Sequence, residues 1–273
     1  MSTTQSEKAD RFKALHQGGA FVMPNAWDAG SARVLAAIGF KALATSSAAC
    51  AATLGRRDGK VTRDEALEHS RVIVAATDLP VSADLEKGFG DEPTVVSETI
   101  SLAAKAGLVG CSIEDSTGDR DKPLFEMSHA IERVAAAVES ARSLPISFTL
   151  TARAENFIRG NPDLDDTIKR LQAFEKAGAD VLFAPGLPDL ASVKAVCDAL
   201  SRPVNFMAGI KGKSFPAADL EQSGVKRISL ATSLYRAAMS GLIAAAQEIK
   251  DSGTFDYVEH SLMTSDLDRA VWS

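Results

Sequence analysis

The chain reads as an α/β protein folded into a (β/α)8 TIM barrel, and two observations predict it. First, one local grammar recurs four times: an amphipathic stretch ends at a glycine, and a short apolar run follows. The copies are Ile38-Gly39-Phe40 before Ala42-Leu43-Ala44-Thr45, Ala106-Gly107-Leu108 before Cys111-Ser112-Ile113-Glu114, Ala177-Gly178-Ala179-Asp180 before Val181-Leu182-Phe183-Ala184, and Ser223-Gly224-Val225 before Arg227-Ile228-Ser229-Leu230. Each glycine suits the left-handed cap of a helix, so each copy is the second half of a βαβ unit. Second, residues 21–25, 81–85, 146–152 and 204–208 are further apolar runs that fit buried strands, which makes eight strands in all.

The helices between them have legible ends. Thr62-Arg63-Asp64-Glu65 opens one that Asp78-Leu79-Pro80 closes, and other helical patterns cover 93–106, 128–141, 163–177, 188–200, 216–222 and 233–250. A doubly wound open sheet is the competing architecture, but it normally carries a glycine-rich phosphate turn after its first strand. Here that turn is Pro24-Asn25-Ala26-Trp27-Asp28. Residues 12–17 read as an additional helix that plugs one end, so 1–250 form a single barrel domain with an N-terminal helix. The tail, 251–273, holds Phe255, Tyr257, Leu262, Met263 and Trp272 without a core of its own, and is expected to dock on a neighbouring subunit.

Composition narrows the partners. The net charge of −6, the absence of a dense basic run and 6% aromatics argue against nucleic acid. No run approaches the roughly 18 apolar residues of a membrane span, and the opening MSTTQSEKAD lacks the pattern of a secretory signal, so a cytoplasmic protein is expected. The three cysteines, Cys50, Cys111 and Cys197, read as reduced structural thiols. With no CxxC, HxxxH or HxH, any metal must be held by oxygen.

Barrel enzymes work at the carboxyl ends of their strands, and here those ends are rich in carboxylates. The third strand runs into Asp84-Leu85-Glu86-Lys87-Gly88-Phe89-Gly90, where alternation puts Asp84 and Glu86 on one face. The fourth ends Ile113-Glu114-Asp115, the fifth ends Ala152-Arg153, and the loop after the second carries Thr45-Ser46-Ser47-Ala48 and then Asp58. Carboxylates crowded into one mouth repel unless a cation sits among them, and Mg2+ needs only one or two directly because it keeps its waters.

These motifs resemble the isocitrate lyase and phosphoenolpyruvate mutase superfamily over about residues 21–242. Asp84 to Gly90 is a variant of that family's Asp-x-Asp-x-Gly-Tyr/Phe-Gly, Glu114-Asp115 is similar to its strand-four pair, and Ala152-Arg153-Ala154-Glu155 resembles its Ala-Arg-x-Glu/Asp. The resemblance implies a Mg2+-dependent lyase or decarboxylase that cleaves a carbon-carbon bond of a small 2-oxo or 2-hydroxy (di)carboxylate through an enolate-like intermediate. It implies that Asp84 ligates the metal and that Glu86, Glu114 and Asp58 hold its waters. Ser46, with the amides of Ser47 and Ala48, would receive the substrate, and Arg153 would anchor or polarise it. The resemblance also implies a last helix swapped between subunits, in a homodimer or homotetramer.

The departures decide which reactions fit. The lyases' Lys-x-Cys-Gly-His loop is replaced by Ser116-Thr117-Gly118-Asp119-Arg120-Asp121-Lys122-Pro123-Leu124, which has no thiol, so isocitrate cleavage by that machinery is disfavoured. Lys122 with Thr117 is a thin substitute for a phosphoryl-gripping loop, and Phe183-Ala184-Pro185-Gly186 lacks the family's acidic or histidine side chain. Asn205 and the Lys211-Gly212-Lys213-Ser214 loop are further candidates for contacting an anionic substrate. Lys87 reads as a neutraliser of the carboxylates or a solvated lysine, and Glu155 as the group that orients Arg153. Phosphonopyruvate chemistry and a non-catalytic barrel that binds 2-oxo acids stand as the alternatives.

Overall fold

The computed structural model describes residues 3–272. In chain order it contains α1 (Gln5–Leu15), β1 (Phe21–Met23), α2 (Ala29–Ile38), β2 (Leu43–Ala44), α3 (Ser47–Thr53), α4 (Arg63–Ala75), β3 (Val81–Asp84), α5 (Pro93–Lys105), β4 (Gly110–Glu114), α6 (Met127–Arg142), β5 (Thr149–Arg153), α7 (Leu164–Lys176), β6 (Val181–Phe183), α8 (Leu190–Asp198), β7 (Val204–Met207), α9 (Ala217–Gln222), β8 (Arg227–Ser229), α10 (Ser233–Ser252) and α11 (Thr264–Trp272). The eight strands pair in parallel in the order β1-β8-β7-β6-β5-β4-β3-β2. The ring closes where Asn25 bridges Ala44, with the Ala26 N–H donating to the Ala44 carbonyl at 2.8 Å and the Ala44 N–H to the Pro24 carbonyl at 2.9 Å. This is the predicted (β/α)8 barrel.

Period-two alternation sorts the strands. Ala83, Ile113, Leu150 and Ala152 lie in the apolar clusters beneath the helices, while Ser82, Asp84, Ser112, Glu114 and Arg153 line the interior. Most strands are shorter than the apolar runs suggested, as the chain leaves the ladder for the loops; β4 instead starts one residue earlier, at Gly110, and β5 starts later, at Thr149. Two helices were not legible in sequence: α3, whose Ala-rich run has no apolar period, and α11 in the tail. The N-terminal helix also starts earlier than predicted, at a capping box in which Thr4 and Glu7 satisfy each other's backbone N–H.

From α1, Phe12 and His16 enter the amino-terminal end of the barrel, Phe12 packing with Met23, Ala44 and Val109. At the other end of the chain, α10 has no buried residue, and Leu242 and Ile243 are more than half exposed. Beyond it α11 returns to α2, where the Arg33 guanidinium stacks over the Trp272 ring at 4.4 Å.

The plug predicts a sensitive position. A Cβ at Gly110 would stand 2.6 Å from the Thr149 carbonyl oxygen and 3.2 Å from Phe12 Cε1. Gly110→Ala therefore forces β4 off β5 or displaces α1, and is expected to cost about 1–3 kcal/mol in a urea titration; a variant as stable as the parent would contradict this packing.

Candidate active site

The mouth holds a cavity of about 820 Å³, and one guanidinium organises its wall. Arg153 ends β5, donates from Nε to Glu155 Oε1 at 2.9 Å and from Nη1 to Asp84 Oδ1 at 3.1 Å, and places Nη2 3.4 Å from Glu114 Oε2. Glu155, fully buried, takes Nη2 on the same Oε1 at 2.7 Å, so one carboxylate oxygen receives both donors. The Phe183 ring lies 5.0 Å from the guanidinium carbon and fills the place where a sixth-strand acid or histidine was sought.

A second arginine enters the cluster that sequence reasoning missed. Arg159, on the turn after β5, donates from Nη2 to Glu114 Oε1 at 2.9 Å and sits 3.2 Å from Glu155 Oε2. Its signal was the four-residue spacing from Glu155, which one helical turn converts into an ion pair.

Burial sets the charge state of the remaining carboxylates. Glu114 is pushed up to about 8, first by burial and then by the charge of Glu155, against the pull of Arg153. Glu86 is pushed up to about 7 by burial, helped by Asp84 and Asp58. Asp115 faces away, accepting from the Glu155 N–H and from Arg170, and so braces the wall from behind.

The loop after β3 departs from an extended strand. Glu86 has φ +50° and Phe89 φ +62°, left-handed conformations costing about 1–2 kcal/mol each in non-glycine residues. The Glu114 N–H fixes the turn by donating to the Glu86 carbonyl at 3.0 Å. From α6, buried Arg133 donates to the carbonyls of Lys87, Gly90 and Asp91 and lies 4.3 Å over the Phe125 ring. Lys87 pairs with Asp91 and donates to the Thr117 carbonyl at 2.7 Å, tying this loop to the one that follows β4. That second loop closes on itself through a Ser116–Leu124 bridge and presents Ser116, Thr117, Gly118 and Arg120 to the cavity.

The predicted residues divide into three groups. Asp84, Glu86, Glu114, Arg153, Ser46, Ser47, Ala48 and exposed Asp58 all line the one cavity. Ser46 caps α3, accepting the Ala49 N–H at 3.4 Å, and the Ser47 N–H donates to Asp84 Oδ2 at 3.2 Å, so β2 and β3 meet at the site. Asn205 also lines it, but its amide is spent on Ser229 and Arg227. The 211–214 loop instead folds on itself, with Ser214 bonded to Gly209 and Ile210 and Lys213 to the Gly186 carbonyl.

The donor set suits a hard, water-retaining divalent cation. Among the described residues no three His, Cys, Asp or Glu side chains converge for direct coordination. Asp84, Glu86, Glu114 and Asp58 nonetheless share one cavity, an arrangement that fits one direct carboxylate with waters reaching the others.

The chain is similar to known proteins along most of its length. The family described as phosphoenolpyruvate phosphomutase matches residues 12–250. The chain is 32% identical over 240 residues to a Corynebacterium glutamicum protein named "Probable 2-methylisocitrate lyase 2", covering 85% of this chain and 76% of that one. It is 30% identical over 205 residues to an oxaloacetate decarboxylase of Bradyrhizobium diazoefficiens, covering 72% and 69%. A crystal structure of a provisionally described lyase/mutase from Burkholderia cenocepacia J2315 superposes with a TM-score of 0.95 at 50% identity, covering 97% and 96%.

The raised carboxylates carry a sign. The folded chain keeps protons on Glu86 and Glu114 up to about 7 and about 8, whereas the unfolded chain releases them near 4.3. Stability of the metal-free protein therefore falls as pH rises through that window. In chelator the melting temperature is expected to drop between pH 5.5 and 8, and millimolar Mg2+ to remove most of the drop; a rise in chelator across this interval would contradict the assignment.

Proposed function

Because the chain belongs to the phosphoenolpyruvate mutase and isocitrate lyase superfamily, we propose that it is a lyase or decarboxylase that cleaves a carbon-carbon bond of a small 2-oxo or 2-hydroxy (di)carboxylate. The observation that carries this reading is Arg153, held among Asp84, Glu114 and Glu155 with its guanidinium at the cavity wall. A fixed cation placed where an oxyanion develops stabilises that charge without reorganising.

Asp84 is the residue to ligate Mg2+, with Glu86, Glu114 and Asp58 holding its waters. The ion, when bound, supplies Lewis-acid polarisation of the substrate's oxo group. Ser46 and the amide of Ala48 orient the carboxylate end, and the Ser47 amide joins them once Asp84 Oδ2, which it now holds, turns to the cation. For a 2-oxo dicarboxylate the bond to the departing carboxylate breaks, CO2 leaves, and the electron pair forms an enolate on the oxo oxygen that faces Arg153. For a 2-hydroxy acid the hydroxyl proton is lost, the hydroxyl carbon leaves as an oxo product, and the pair forms the enolate-like carboxylate of the other fragment. A proton then returns to carbon, and Glu114 and Asp58, which line the same cavity, are the carboxyl groups suited to relay it from solvent.

The loop at 116–124 offers the cavity Arg120, and it is the lyase and decarboxylase relatives that favour carbon-carbon cleavage over phosphonate chemistry and over a silent binding barrel. Among the described residues no helix is long and apolar enough to cross a membrane, and three free cysteines suit a reducing, cytoplasmic setting. The exposed apolar face of α10 suits pairing with a second copy, as homodimer or homotetramer.

The test couples pyruvate or glyoxylate release to lactate dehydrogenase, with oxaloacetate, methylisocitrate, isocitrate, substituted malates and phosphonopyruvate as substrates. Turnover of a carbon-carbon substrate that needs Mg2+ is expected. Asp84→Ala and Arg153→Lys, which keeps the charge but loses the fork, are each expected to lower kcat by about 10²–10³. Turnover confined to phosphonopyruvate, or none at all, would overturn this reading.

A further inference from the structure

Arg227 is buried at 3% exposure within β8, and its acceptors are all neutral. Nε donates to Asn205 Oδ1 at 2.8 Å, Nη2 to Thr151 Oγ1 at 2.9 Å, and Nη1 lies 3.4 Å from His16 Nε2. His16 Nδ1 is 2.9 Å from the Phe12 carbonyl, which can only accept, so Nδ1 carries the hydrogen and Nε2 offers its lone pair to Arg227. Burial and the Arg227 charge hold His16 down at about 3, which keeps it neutral. Among the described residues no carboxylate pairs with Arg227, and burial alone moves it, down to about 9.

A buried guanidinium without a counter-charge is expensive, and three hydrogen bonds leave two of its five N–H groups without a protein acceptor among the described residues. Arg227 also lines the cavity that Asp84, Glu114 and Arg153 line, on the strand that faces β4 across the ring. The Asn205 amide, bonded to both Ser229 and Arg227, fixes its direction. Of the cavity's other cations, Lys87, Arg153 and Arg159 are paired with carboxylates, which leaves Arg227 the buried one without a counter-charge among the described residues.

We propose that Arg227 is the counter-charge for a second carboxylate of the ligand, with Asn205 as its positioning residue, so that the site selects dicarboxylates over monocarboxylates. This rests on the reading that Arg153 and Asp84 hold the 2-oxo acid end. Arg227 holds the far end and does no chemistry.

Calorimetry on the Mg2+-loaded protein compares pyruvate with 3,3-difluorooxaloacetate, a 2-oxo acid that carries the second carboxylate. The wild type is expected to bind the dicarboxylate about 10- to 100-fold more tightly, the range of one charge-assisted anchor. In Arg227→Met that preference falls below about threefold, while pyruvate affinity stays within about twofold. Arg227→Lys retains part of the preference and decides the matter should the Met variant fail to fold. An unchanged preference in Arg227→Met overturns the proposal, and so does an equal loss of both ligands in either variant. Wild-type binding of pyruvate without a preference overturns the Arg227 assignment alone; binding of neither ligand overturns the metal-end reading as well.

Discussion

The ion pairing of Arg153 with Asp84, Glu114 and Glu155 is the constraint on which the mouth of the barrel depends. Three strands end in carboxylates or their partners within one small space, and without a central cation their mutual repulsion would push β3, β4 and the turn after β5 apart. Arg153 binds them, Arg159 closes the outer side, and Asp115 with Arg170 braces the cluster from behind. Even so, Glu86 and Glu114 remain reluctant to ionise. Burial is the main cause, and a divalent cation would offset it.

The loops around this centre are held by cations bonded to backbone carbonyls as well as by the packing of Leu85 and Phe89. Arg133 gathers three carbonyls of the turn after β3, and Lys87 links that turn to the Thr117 carbonyl of the next. The two loops that frame the cavity are thus mechanically joined. The left-handed backbone at Glu86 persists because Glu114 and Asp84 fix its carbonyl and amide.

The opposite wall has a different electrostatic character. There Arg227 stands among neutral acceptors, one of them supplied by the N-terminal helix through His16. The segment that closes the amino end of the barrel therefore also helps shape the floor of the cavity. Charge is divided across the interior, with carboxylates gathered on β3 and β4 and an uncompensated cation on β8.

Local pattern determined a good deal of this protein. The glycine-terminated helices fixed the eight-unit alternation, strand-end position put Asp84, Glu86, Glu114 and Arg153 at the mouth, and motif resemblance brought Ser46 and Asp58 to the same site. These features depend on neighbours a few residues apart, so a linear reading reaches them. Arg133 and Arg227 were illegible for the opposite reason, and of the Arg159 partners only Glu155, four residues back, lies within local reach. An arginine's meaning lies in which acceptors surround its guanidinium, and those come from chain positions tens to hundreds of residues away, such as Gly90 for Arg133 and His16 for Arg227. Tertiary structure alone decided that Asn205 serves Arg227, because only closure of the barrel brings β7 and β8 together with Thr151 of β5. It also decided how reluctantly Glu86 and Glu114 ionise, since desolvation is a property of the folded cavity and not of the sequence.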